Sequence, residues 1–121
     1  VEAQACDFTR DPFPNGADVA IMASNQSLYG GDFIREVLRK AFAALEPGGE
    51  MHFIGHLLNA DRTGPAETAT WALDQAIKNG TGHAHSAADI RHYFEDAGFC
   101  DIWDGDFLPN MLEWVRGVKP A

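Results

Sequence analysis

Positive charge is scarce in this chain. Among its 121 residues, Lys and Arg number 9 against 18 Asp and Glu, leaving a formal net charge of −9. Nucleic acids and anionic membrane surfaces are held by clustered Lys and Arg, so neither partner is expected here. Cysteine is scarcer still: Cys6 and Cys100 stand far apart, which excludes the disulfide framework of a small secreted scaffold. No apolar run approaches the length of a membrane span, and no basic-then-apolar signal segment opens the chain. A reducing, cytoplasmic setting is therefore the expectation, for a chain whose first residue, Val1, hints at processing, trimming or a fragment. Internal repeats and low-complexity tracts are missing too. What is present is an apolar share of 45% with moderate charge, the make-up of one modest globular domain over 1–121.

The apolar pattern alternates between strand and helix periods. Residues 9–16, TRDPFPNG, hold two prolines and an Asn-Gly pair and read as a loop. The run ADVAIMAS, centred on Val19–Ala23, has the length of a buried parallel strand. From Asp32 a helical period begins, with Phe33, Val37, Leu38, Ala41, Phe42 and Leu45 on one face; Asp32 is placed to cap it and EPGG at 46–49 to stop it. A second strand is expected over 50–58, then the polar loop NADRTGP and a helix over 66–79 ended by Asn79-Gly80. Ser86 and Asp89 form the start signal of a further helix that Gly98 terminates. FCDIWDGDF and NMLEWVRGVK close the order as an antiparallel pair of strands. The sum is a three-layer α/β arrangement with parallel strands and an antiparallel edge hairpin.

The segments DFTRDPFPNGADVAIM, LRKAFAALEPGG, DRTGP and AADIRHYFEDAGF, in that order, resemble the C-terminal half of a class I S-adenosylmethionine-dependent methyltransferase. The similarity is greatest to the small-molecule O-methyltransferases of bacterial secondary metabolism and plant phenolic metabolism, and it spans nearly the whole chain. It implies a Rossmann-like sheet, S-adenosylmethionine as cofactor and a small-molecule substrate. Members of that family are much longer. They carry an N-terminal helical dimerisation domain and a glycine-rich loop whose backbone approaches the cofactor closely, and no G-x-G-x-G stands here. A half-sheet would expose an apolar edge, so the resemblance implies a companion polypeptide, or a second copy, supplying the missing N-terminal half.

Carried over position by position, the resemblance places the adenine-binding pair on Asp7 and Phe8 and further cofactor contacts on Ala23 and Ser24. Asp7 as a loop cap and Phe8 as plain core are the alternatives. The family's catalytic histidine, which takes a proton from the substrate hydroxyl, falls on Ser27; its Asp falls on Leu28 and its Trp on Tyr29. The two acids that orient that histidine fall on Gly55 and Ala84. A serine hydroxyl cannot hold a proton near neutral pH, so the usual base and both of its supports are replaced together. Ser27, Tyr29 and His56 remain the candidate catalytic residues. His56, near a strand's carboxyl end, and His83 and His85, beside the second missing acid, are candidates for a relocated base or polar contact, with a hydrated loop histidine as the alternative. Asn25, Gln26, His83 and His85 are the candidate substrate contacts, although Asn25 and Ser27 as caps of the strand end would also account for them. His92 is expected on a helix surface, and Trp71, Met22 and Met111 as crevice wall or core. No metal is expected: His83 and His85 lack further ligands nearby, and His52 and His56 lie ~13 Å apart along a strand. DGD at 104–106 reads as a turn rather than a cation loop.

Three chemistries fit a site without its base. The first is methyl transfer to an acceptor that needs positioning only, where proximity is worth several powers of ten. The second keeps the cofactor as a fixed charge for cyclisation, rearrangement, decarboxylation or hydroxylation. The third is a non-catalytic half-domain that completes a partner subunit.

Overall fold

The computed structural model describes residues 1–121, the side chain of Gln26 excepted. Strand β1 (Ala17–Ala23) runs into a short 3-10 turn at Gln26–Leu28 and then helix α1 (Gly31–Ala44). Strand β2 (Leu45–Gly55), helix α2 (Ala66–Asn79), helix α3 (Ala87–Ala97) and strands β3 (Cys100–Leu108) and β4 (Leu112–Val118) follow. The four strands form one sheet in the order β1-β2-β4-β3, with β1 parallel to β2 and the other pairs antiparallel. The parallel strands with an antiparallel hairpin that the sequence predicts are therefore present.

Several boundaries differ from the expectation. EPGG does not end α1 as a loop. Leu45 already pairs with Ala17, residues 46–49 bulge out, and pairing resumes at Glu50 against Val19. Gly48, at φ +83°, takes the left-handed conformation that such a bulge requires. Asp32 is not the cap of α1: Gly30 holds that position with no side-chain bond, and Asp32 sits in the first turn paired with Arg35 at 3.3 Å. A carboxylate there still complements the positive end of the helix. β2 stops at Gly55 because Leu58 leaves the sheet to bridge Ser86. The DGD triplet lies inside β3, not in a turn. The start of α3 is as expected: Ser86 and Asp89 bond reciprocally in a capping box, and Gly98 closes the helix in the left-handed conformation.

Strand alternation gives the sheet one buried and one open face. On the buried face, Met22, Phe53 and Val115 stand in register with Met51 alongside, under Ile34 and Leu38 of α1 and Ile90 and Phe94 of α3. Each such side chain contributes about 1.5–3 kcal/mol by leaving water. The helix packing is close enough that position 117 has no room for a side chain: a Cβ there would meet Phe94 Cδ1 at 2.6 Å and Phe99 Cβ at 3.0 Å. The opposite face carries Val19 and Ile21, 51% and 67% exposed, in register with Glu50 and His52. There Trp114 Nε1 donates to His52 Nδ1 at 3.0 Å, and Arg116 pairs with Glu50 at 2.7 Å. The chain itself thus supplies two of the three expected layers, sheet and helices, with the other sheet face open. α2 rests on the 3-10 turn, with Leu73 and Ile77 exposed.

Candidate functional site

Three segments meet beyond the carboxyl ends of β1 and β2, where ligands bind in open α/β sheets: residues 24–30, 56–59 and 82–87. Backbone bonds stitch them together. Ser24 N–H donates to Ile54 O at 2.9 Å, His83 N–H to Ser27 O at 3.0 Å, and Leu58 N–H to His85 O at 2.8 Å. Ser24 accepts this geometry at φ +60°, a conformation uncommon for residues other than glycine and frequent at functional sites.

Ser27 is only 4% exposed. Its Oγ accepts a hydrogen bond from the Trp71 indole Nε1 at 2.6 Å. The hydroxyl at the expected base position is therefore a structural acceptor that fixes α2 against the strand end. The same indole lies 6.1 Å, ring centre to ring centre, from His56, so Ser27, Trp71 and His56 form one cluster. Trp71 is 42% exposed. Tyr29 does not join them through its ring. It stacks on Phe33 at 4.2 Å and meets Phe8 edge-on at 5.7 Å, which turns it into packing between α1 and the N-terminal strap.

His85 is buried, and its Nε2 lies 2.7 Å from the Tyr29 carbonyl, which can only accept. Burial pushes its imidazole below the ordinary value, and the carbonyl bond opposes this more weakly. The ring is thus neutral near pH 7, with its proton on Nε2. His83 stacks on it at 6.0 Å and stays exposed. Gly55 is buried at the end of β2, and the Ala84 carbonyl accepts from Arg62 at 3.3 Å, so no acid stands at either orienting position. Among the described residues, no group of three or more His, Cys, Asp or Glu is placed to hold a metal ion.

Beside this cluster, a groove of about 530 Å³ runs between the N-terminal strap, β1 and α1. Phe8, Met22, Ala23, Asn25 and Val37 line it, and the Asn25 Oδ1 is buried there with no hydrogen-bond partner among the described residues. Phe8, Ala23 and Asn25 thus line one groove. Asp7 is engaged locally. Its Oδ1 accepts from the Thr9 amide and hydroxyl at 3.0 and 2.5 Å, and its Oδ2 pairs with Arg10 at 3.1 Å. The Thr9 bonds foremost, with Arg10, hold its carboxyl below the usual range.

Some residues fall elsewhere. Gln26's side chain lies outside the described residues. Met22 is core as well as groove wall, while Met111 is exposed at the β3–β4 turn. His92 is on the α3 surface beside Glu95 and Asp96. The bond of Trp71 to Ser27 spans 44 positions, and no periodicity could have revealed it. No described helix is long and apolar enough to cross a membrane.

The chain has clear relatives in sequence and fold. The 3-hydroxy-5-methyl-1-naphthoate 3-O-methyltransferase of Streptomyces sahachiroi is 26% identical over 98% of this chain and 34% of its own length. The structure of human N-acetylserotonin methyltransferase, solved in complex with SAM, superimposes with a TM-score of 0.86 at 24% identity, covering 98% of this chain and 33% of that one. The S-adenosylmethionine-dependent methyltransferase SibL, solved in its apo form, does so with a TM-score of 0.82 at 28% identity, covering 98% and 35%. The chain therefore spans about a third of the length of these relatives. The family model of the O-methyltransferase domain matches residues 1–100, and the chain belongs to that family.

Proposed function

We propose that this chain is the C-terminal part of an S-adenosylmethionine-dependent enzyme that transfers methyl to a small, natural-product-like molecule by positioning, without the family's histidine base. The observation that carries the reading is the Trp71–Ser27 bond: the base position is buried, neutral and committed to structure. The groove fits the cofactor through this chain's own residues. Phe8 offers an apolar ring, Ala23 a small side chain at the strand end, and Asn25 an orphaned acceptor for an N–H or O–H donor. When bound, S-adenosylmethionine supplies an electrophilic methyl group on a sulfonium. Trp71, His56 and His83 then orient an acceptor that is nucleophilic without help, and Tyr29 braces the groove rather than acting on it.

A companion polypeptide or second copy completes the site. β1 is an edge strand with Met22 buried on one side and Val19 and Ile21 apolar on the other, the pattern of an interior strand. The same observation favours a second reading, a non-catalytic half-domain whose work is to complete a partner subunit. Use of the bound cofactor for a reaction other than methylation is compatible with the same groove. Native mass spectrometry with and without S-adenosylmethionine separates the half-domain reading from the two that use the cofactor. A mass above one chain with a cofactor-sized increment is expected, and a lone 13.2 kDa species that ignores the cofactor overturns the enzymatic reading.

A further inference from the structure

The N-terminal strap that carries Asp7 and Phe8 is closed on itself but lightly tied to the rest of the molecule. Within it, the Arg10 and Asp11 amides donate to Asp7 O at 3.0 and 2.7 Å, and Asp7 N–H donates to the Asp11 carboxylate at 2.9 Å. These bonds shape a tight turn without fixing where the turn sits. Its position relative to α1 depends on contacts outside the turn. Phe8 packs edge-on against Tyr29 and Phe33, Phe13 packs against the core, and Gly16 N–H donates to Ala44 O at 3.0 Å. The charged tie is Lys40.

Lys40 stands on α1 at the margin of the buried stripe formed by Val37, Ala41 and Ala44. Its side chain reaches away from the helix to the strap. The Nζ donates to the Phe8 carbonyl and to the Asp11 carbonyl, the latter at 3.1 Å, and lies 4.7 Å from the centre of the Phe13 ring. Two carbonyls and one ring face converge on a single ammonium, and all three belong to the strap. A charged donor strengthens both bonds, and the ring face adds a favourable electrostatic seat. No carboxylate is paired with Lys40 among the described ion pairs, although a surface lysine in so acidic a chain has many to choose from.

We propose that Lys40 is a positioning residue of the groove: from α1 it fixes the Asp7–Phe8 strap and so sets how tightly the groove holds its ligand. The inference rests on the cofactor reading above, because the strap brings Phe8 and Phe13 into the wall of the groove. Lys40 does not itself line that groove.

The test uses Lys40→Met, which nearly keeps the length of the side chain and removes the charge, Lys40→Arg as the conservative variant, and Lys40→Gln, which removes the charge and keeps a polar end. Amide hydrogen exchange across 7–13 and calorimetric affinity for S-adenosylmethionine are measured together, with circular dichroism to confirm folding. In Lys40→Met, exchange at Thr9, Arg10 and Asp11 is expected to quicken about tenfold and affinity to fall about tenfold, the scale of one net hydrogen bond. Lys40→Arg keeps both near the unsubstituted values, and Lys40→Gln moves both in the same direction as Lys40→Met by less. If Lys40→Met fails to fold, Lys40→Gln and Lys40→Arg decide the matter by the same two readouts. Exchange as slow as in the unsubstituted chain overturns the anchoring. Faster exchange with unchanged affinity overturns the link to the groove. An unsubstituted chain that takes up no S-adenosylmethionine overturns the cofactor reading instead, and exchange still decides whether Lys40 holds the strap.

Discussion

Ser27 and Trp71 are coupled through one short bond between a buried hydroxyl and an indole N–H. Removing either partner leaves the other without its mate, so Ser27→Ala and Trp71→Phe are each expected to lower stability. A double-mutant cycle in urea should return a coupling of about 1 kcal/mol, the net worth of a hydrogen bond of this kind. A catalytic Ser27 would instead show its loss in the rate alone. His85 gives a second residue-scale prediction. Its pKa is depressed in the folded chain, so the unfolded chain takes up a proton first as the pH falls. The contribution is complete above the ordinary imidazole value near 6.5 and is lost as the pH falls from there through the folded pKa. His85→Gln should therefore flatten the fall in urea midpoint between about pH 7.5 and about pH 5. The lowered carboxyls of Asp7, Asp61 and Asp89 act at lower pH, in the carboxylate range, and the experiment can separate them.

The elements were legible wherever their signals are local. The capping box at Ser86 and Asp89 and the closing glycine of α3 are four- and one-residue patterns, and both stand where the sequence puts them. Bonds and contacts between distant residues were not legible. EPGG carries a loop signature and becomes a bulge inside β2 because Leu45 and Glu50 both find partners on β1, a fact about β1 rather than about the four residues themselves. Asp32 has the composition of a cap and the wrong position by two residues, since the chain enters α1 through Gly30. The need for glycine at 117 depends on where Phe94 and Phe99 lie across the sheet. Gly117→Ala is expected to cost about 1–3 kcal/mol, as overpacking of a filled core does, measured as a shift of the urea midpoint at constant slope. A neutral result would mean that α3 can shift away from β4 freely.

At the scale of the whole molecule, one sheet face is finished and the other is not. α1 and α3 bury Met51, Phe53 and Val115 completely, while Val19 and Ile21 at the β1 edge remain in solvent. Ile21→Lys should leave the fold intact, since the side chain is already 67% exposed, and should block association along that edge. Sedimentation would then show a single chain where the unsubstituted protein shows a larger species. Persistence of the larger species would place the contact elsewhere. Family membership was legible from four ordered segments, and the unfinished face from what those segments leave out. The groove was only half legible: Phe8 and Ala23 could be placed from the sequence, but the strap's dependence on α1 could not.

The strand order has a consequence for how the molecule is made. β4 is the last strand in the sequence yet sits inside the sheet, paired on both sides, and its partner Glu50 lies far upstream of Val118. On the ribosome, β1, α1 and β2 emerge before β4 and wait with an open flank until residues 112–118 have cleared the exit tunnel. A stop codon before Leu112 would therefore remove an interior strand of the sheet.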